Sequence, residues 1–280
     1  MIDPRRLTRV GLVLMLAGAG PVVAEPEVRT DADRAEMGRQ IMLGMYRYPE
    51  GSDRVSRDRM ELRQAGGEVR TRVLYTYIAR SRTGATRSLI RFVEPGNIAG
   101  TGLLSIESDD GTINQWVYLP TLKSVRRIPV ARQGGRFAGS DFFYEDLAAP
   151  SIVRDAHRWL DTVQMRGRQV EIVESTPEAS RASVYARQVF WIDTDLGIPL
   201  QVDFYFPGRA DPGKRFEALA FDETGGYLAV VDARMSDLVG NHQTRLITEQ
   251  IQYDQGLPDR LFSTRSLEDE QLEMRFRPSN

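Results

Sequence analysis

Hydrophobic and polar residues alternate along most of this chain. The clearest case is residues 68–80, EVRTRVLYTYIAR, which places Val69, Val73, Tyr75 and Tyr77 on one face and Arg70, Arg72 and Arg80 on the other. A period of two, with β-branched and aromatic residues, marks a half-buried strand. Further strands are expected at 86–93, 103–107, 114–119 and 124–130, with turns at 81–84 and 109–111. After a less regular middle, strands are expected at 163–175, 183–193, 199–206, 215–222, 227–236 and 242–254. Asp195-Leu196-Gly197, Pro207-Gly208 and Asp211-Pro212-Gly213 break the chain between them.

Helical spacing is confined to the start. Thr30 is a suitable N-cap, Asp31 and Asp33 suit the first turn, and Ile41, Met42, Met45 and Tyr46 form an apolar stripe. Residues 49–52 end this helix, and 140–148 predict one or two more helical turns. About ten strands at regular spacing, with few helices and no Pro/Gly/Ser-rich linker, predict one antiparallel sandwich or barrel domain. The segment 266–280 reads as a polar, peripheral tail, with Glu268, Asp269 and Glu270 as a solvated charge run.

The first residues alter the expected compartment. Arg5, Arg6 and Arg9 precede an apolar stretch at 10–19, and Val22-Val23-Ala24 supplies small residues for cleavage. This pattern predicts a secretory signal peptide over 1–24, with a core shorter than the ~20 residues that span a bilayer. Those residues carry three Arg and one Asp, so the net charge of −2 for the whole chain becomes about −4 after their removal. That mild acidity argues against nucleic-acid binding. Cysteine is absent, which excludes disulfides, thiol nucleophiles and a lipidated cysteine. Only Lys123 and Lys214 are lysines, a bias that carries no functional reading. A soluble, periplasmic monomer is expected.

Little catalytic chemistry is offered. The two histidines, His157 and His242, have no metal-ligand spacing, and no Gly-x-Ser-x-Gly elbow, P-loop or dinucleotide fingerprint occurs. Asp141, Glu145 and Asp146 lack the ordered spacing of a calcium loop. The expectation is structural: Ser140 caps a short helix, Asp141 sits in its first turn, and Phe142, Phe143 and Leu147 pack beneath it. Arg126 or Arg127 is expected to pair with Asp141 or Asp146. No cofactor, metal or enzymatic activity is predicted. The remaining functional signal is apolar. A curved sheet crossed by a mobile, methionine-bearing helix (Met37, Met42, Met45) would make a slot for lipid, although by pattern alone these methionines read more readily as ordinary core.

A set of short segments carries a resemblance. Arg91-Phe92-Val93-Glu94-Pro95 is followed by Gly100-Thr101-Gly102-Leu103-Leu104, by Trp116-Val117-Tyr118-Leu119-Pro120 and by Val125-Arg126-Arg127-Ile128. The set ends in Phe137-Ala138-Gly139-Ser140-Asp141-Phe142-Phe143-Tyr144-Glu145-Asp146-Leu147. In order and spacing it resembles the LolA-like outer membrane lipoprotein-sorting protein family, in the branch found alongside RND/MMPL-type exporters. Ala138 departs from the larger apolar residue expected before Gly-Ser-Asp.

The resemblance implies a mainly β (α+β) fold of LolA/LolB type over residues 25–265. This is a single curved antiparallel sheet, or incomplete β-barrel, with covering helices. It also implies an apolar cavity for lipid or lipoprotein acyl chains carried between membranes, and a framework role for Arg126, Arg127, Ser140, Asp141, Tyr144, Glu145 and Asp146. The alternative is a non-carrying accessory subunit docked on an RND/MMPL-type transporter. From the alternation, the lipid-binding residues are expected to be Met42, Met45, Val73, Tyr75, Tyr77, Ile90, Phe92, Leu103, Trp116, Tyr118 and Phe204. A one-residue error of register exchanges the two faces of a strand.

Overall fold

Strands joined by short turns pair with their sequence neighbours, and that rule accounts for most of this sheet. The computed structural model describes residues 29–81, 83–148 and 154–278; the expected signal peptide lies outside the described residues. Asp31–Asn280 forms one compact unit. It opens with helix α1 (Asp31–Tyr46), followed by β1 (Asp53–Arg63), β2 (Val69–Arg80), β3 (Thr86–Glu94), β4 (Gly102–Glu107), β5 (Ile113–Leu119) and β6 (Ser124–Ile128). The second half holds β7 (Asp155–Met165), β8 (Arg168–Pro177), β9 (Arg187–Asp193), β10 (Ile198–Tyr205), β11 (Lys214–Thr224), β12 (Tyr227–Asp237) and β13 (His242–Tyr253). Two short helices, α2 (Thr264–Glu268) and α3 (Gln271–Met274), complete it.

All pairings are antiparallel. Two meanders, β1–β6 and β7–β13, meet where β1 pairs with β13. The result is one 13-stranded sheet whose edges, β6 and β7, are not paired to each other. The sheet curls on itself, because one buried cluster collects Met60, Leu74 and Phe92 from the first half with Val173, Phe190 and Phe204 from the second. This is the open, mainly β architecture expected. The chain from β6 to β7 must travel between the two free edges, and its residues 137–147 contribute to the same buried cluster.

The seam strand, β1, escapes the alternation argument. Its sequence DRVSRDRMELR puts Ser56 and Asp58 at inward positions and Val55 at an outward one. Outward Arg57 and Arg59 both pair with Glu249 of β13. Polar residues inside and charged pairs outside erase the usual contrast. The strand expected over 163–175 is instead the end of β7, a turn and most of β8. Arg166 and Gly167 have φ of 52° and 77°, the left-handed pair that a two-residue hairpin turn requires.

Residues 266–278 are not a peripheral tail. Ser263 caps α2 in a reciprocal capping box with Ser266. Leu261 and Leu267 are fully buried against Val55, Tyr77, Leu89 and Leu104 on the outer face of the first meander. Few apolar residues stand in this segment, so its composition conceals its burial. Arg91 fastens it. Its guanidinium, 0 % exposed, donates to Glu273 at 2.9 Å and 3.3 Å, to the carbonyls of Leu267 and Ser266 at 2.9 Å, and to Gly100 O at 2.7 Å. A side chain at residue 102 would meet Arg91 Nη1 and Leu267 at 2.9 Å, so glycine is required there. The Arg91…Gly100-Thr101-Gly102 spacing is thus the frame of one buried ion pair.

Candidate functional site

An apolar cavity of about 420 Å³ lies inside the curl. Met45, Met60, Leu74, Ile78, Ile90, Phe137, Phe142, Phe190 and Leu246 supply much of its wall. Its volume falls in the range of small-molecule sites, roughly 300–1,000 Å³. Charged residues Glu50, Arg54, Arg80 and Glu107 lie at its partly exposed margin. There Tyr46, in the last turn of α1, donates to Glu107 at 3.1 Å and to Gly84 O at 3.0 Å. Arg80 stacks over the Tyr46 ring at 5.0 Å. At its middle, α1 sits so close to β7 that a Cβ on Gly38 would lie 2.7 Å from Trp159 N. The helix is therefore held at both places, by close backbone approach and by a polar latch.

The acidic, aromatic segment 137–147 closes another side of the cavity. Phe137, Phe142 and Leu147 face it and Asp146 borders it, while all three acids bind groups of the second meander. Asp141 pairs with Arg136 at 2.8 Å, with His242 at 2.5 Å, and accepts from Thr244 at 2.8 Å. Glu145 accepts from Arg181, Ser183 and the Val184 amide at 2.9, 2.5 and 3.0 Å. Asp146 accepts from Lys214, Tyr185 and the Phe143 amide at 2.5, 2.6 and 2.7 Å.

Lys214 is 2 % exposed, and its ammonium lies 3.6 Å from the Phe143 ring centre and 5.3 Å from that of Phe204. Burial lowers its pKa, against the pull of Asp146. Burial also holds Tyr185 well above the ordinary phenol value, so it stays a neutral donor to Asp146.

These contacts correct the expected local packing. Ser140 caps no helix; its hydroxyl donates to Phe137 O at 2.7 Å and closes a turn in which Ala138 and Gly139 have φ of 51° and 71°. Arg126 and Arg127 form no ion pair with the acids; Arg127 donates to Asn114 at 2.5 Å. Both arginines are exposed, and the acids are paired instead with cations that lie nearer to their buried side. Tyr144 packs against Phe137 with ring centres 5.7 Å apart.

Asp58 sits in the seam, 3 % exposed, and accepts from Ser56, Thr76 and Thr248 at 2.8, 2.7 and 2.8 Å. Burial raises its pKa despite those three hydroxyls. Ionised Asp58 therefore costs more in the folded than in the unfolded chain. That cost is complete above the folded pKa, fades as pH falls through it, and is gone below the unfolded value of about 3.9. Asp58→Asn keeps an acceptor, and the hydroxyls can rotate to accept from its amide. The variant is expected to unfold at higher denaturant than the parent at pH 7, with the difference vanishing near pH 3. A less stable variant at pH 7 would refute this.

The expected lipid-binding residues divide into three groups. Met45 and Ile90 line the cavity. Met42, Phe92, Leu103 and Phe204 belong to the surrounding buried cluster, with Phe92 stacked on Phe137 at 5.3 Å. Tyr75, Tyr77, Trp116 and Tyr118 pack on the outer face beneath the C-terminal segment, and Val73 shares their side of its strand. Along β2, the cavity takes Leu74, Thr76 and Ile78 instead. Both faces of this strand are covered, so apolar residues on either face satisfy the pattern. Met60 stands in β1, where the alternation is hidden, and Ser88 and Ser105 carry no apolar signal.

Neither histidine faces the cavity. His157 Nδ1 lies 2.8 Å from Ser175 Oγ, and that serine is 1 % exposed, so the pair is a buried cross-strand contact. His242, Asp141 and Asp237 bring ligand-capable atoms within 4.8 Å of one another. The Arg136 guanidinium already supplies positive charge there, 2.8 Å from Asp141, 2.6 Å from Asp237 and 2.9 Å from His242.

Comparison with solved structures gives the same architecture. The chain is similar to a Vibrio parahaemolyticus domain attributed to outer membrane lipoprotein sorting, at 28 % identity and a TM-score of 0.79, covering 84 % of this chain and 99 % of that one. It is equally similar in fold to a DUF1329 family protein from Desulfovibrio piger, at 26 % identity, a TM-score of 0.79 and the same coverage. A LolA superfamily protein from Nitrosomonas europaea shares the fold at 16 % identity and a TM-score of 0.65, over 82 % of this chain and 98 % of that one. No curated protein matches the chain. A family model described as an uncharacterized protein matches residues 84–269, more than half of the chain and including the segments that carry the resemblance. The chain therefore belongs to that family, and it has the fold seen in the LolA superfamily.

Proposed function

We propose that this protein is a periplasmic carrier, which shields a lipid or lipoprotein acyl chain during transfer between membranes. The observation that carries the reading is the apolar cavity inside the open sheet. Transfer on this reading is passive and non-catalytic. The acyl chain gains about 0.8 kcal/mol per buried methylene, and a partner of higher affinity removes it. The Vibrio domain's attribution to lipoprotein sorting supports the same assignment.

The test is mass spectrometry of organic extracts from protein purified out of a periplasmic fraction without detergent. Stoichiometric phospholipid or another acyl compound is expected. Ile78→Trp, which projects bulk into the cavity, is expected to lower the extracted lipid at least tenfold while the sheet persists by circular dichroism. An empty parent protein that also fails to take up fluorescent fatty acid would sink the carrier reading, and the transporter-docking subunit would take its place.

A further inference from the structure

Within the charged margin the cavity wall is mainly apolar; Thr76 and Asp146 interrupt it but are already hydrogen-bonded, and a short polar step on β3 and β4 interrupts it again. Ser88 of β3 and Ser105 of β4 are register partners, and both line the cavity. They are 8 % and 4 % exposed. Ser88 has no hydrogen-bond partner among the described residues. Ser105 Oγ accepts from Gln115 Nε2 at 3.0 Å, which leaves its own proton to donate. Gln115 is held in that sense because its amide also donates to Tyr144 O at 2.8 Å. Its Oε1 is buried without a partner.

The position of this step matters. Two residues outward along the same strand faces stand Thr86 and Glu107, at the charged margin. Two residues inward stands Ile90, then the apolar depth formed with Leu74 and Met60. At about 3.3 Å per residue, the serines lie roughly 7 Å inside the margin. Both hydroxyls border the cavity with a proton free to donate, so a ligand oxygen there can take hydrogen bonds that the apolar wall around them cannot offer.

Building on the carrier reading, we propose that Ser88 and Ser105 form a subsite for the carbonyl oxygen at the head of the bound acyl chain. Two adjacent O–H groups donate to one carbonyl, and the chain beyond it enters the apolar depth. The cargo class is therefore an acyl compound, either a free fatty acid or an ester, rather than a plain hydrocarbon.

The experiment is equilibrium uptake of radiolabelled methyl palmitate, palmitic acid and hexadecane by the parent protein, Ser88→Ala and Ser88→Thr. Ser88→Ala is expected to weaken methyl palmitate about three- to tenfold, the worth of one hydrogen bond, and to leave hexadecane within about twofold. Ser88→Thr keeps the hydroxyl and is expected to retain the preference for the ester. A matching loss for palmitic acid includes free acids in the cargo class, whereas no loss restricts the subsite to esters. Equal effects on methyl palmitate and hexadecane, or none on either, would overturn the subsite while leaving the carrier reading intact. If the parent binds none of the three, the carrier reading falls and the subsite with it.

Discussion

Replacing Arg91 with Met is expected to cost about 3–5 kcal/mol of stability and to release the C-terminal segment before the sheet unfolds. The substitution removes the cation and leaves Glu273, also 0 % exposed, as a buried carboxylate. It also strips donors from the carbonyls of Gly100, Ser266 and Leu267. Arg277 alone would still reach Glu273, at 3.5 Å. Loss of these contacts frees α2 and α3 and exposes Tyr77, Leu89 and Leu104 on the outer face. Denaturant titration should show the lower midpoint, and limited proteolysis should cut within 257–276 under native conditions. Arg91→Lys is expected to fall between, because one ammonium cannot reach acceptors spread across the guanidinium plane. An Arg91→Met protein with the parent's midpoint and protease resistance would show that the pair does not clamp this segment.

Lys214→Met is expected to have the second-largest effect, about 3 kcal/mol. Methionine fills similar volume among Phe143, Tyr185 and Phe204. It leaves Asp146, whose side chain is 3 % exposed, without a counter-charge. Tyr185 and the Phe143 amide continue to donate to that carboxylate, which places the loss at the lower end of the range for broken buried pairs. The double variant Asp146→Asn/Lys214→Met removes both charges and should recover at least half of the loss. A double-mutant cycle on unfolding free energy measures this coupling. A double variant no more stable than Lys214→Met would show that packing, and not the unpaired charge, accounts for the effect. Because Asp146 and Leu147 both border the cavity, the single variant is also expected to weaken acyl-chain uptake.

The acidic, aromatic segment shows how far local pattern reaches. Its structural role is expected from residue types alone, aromatics between acids, but the helix expected after Ser140 is replaced by a turn that this serine closes. Its partners do not follow. Arg126 and Arg127 are near in sequence, yet the acids take Arg136, His242, Arg181 and Lys214. Most of those groups lie on the second meander, which comes within reach only when the sheet curls. Lys214, the rarer of the two basic residue types here, carried no local sign of burial.

Period-two alternation, turn residues and helix caps act between near neighbours. They therefore predict helix α1, most of the strands, the absence of a linker and the mainly β class. The inner and outer faces depend on more distant contacts. Tyr75, Tyr77 and Trp116 would make a plausible cavity wall if nothing covered them, but 257–276 folds back over that side. This covering rests on Arg91 and Glu273, which are 182 residues apart. The seam between β1 and β13 brings together Arg59 and Glu249, 190 residues apart. Hydrophobic burial has no direction of its own, so alternation marks two faces without ranking them. Chain return over one face settles which of them encloses the cavity.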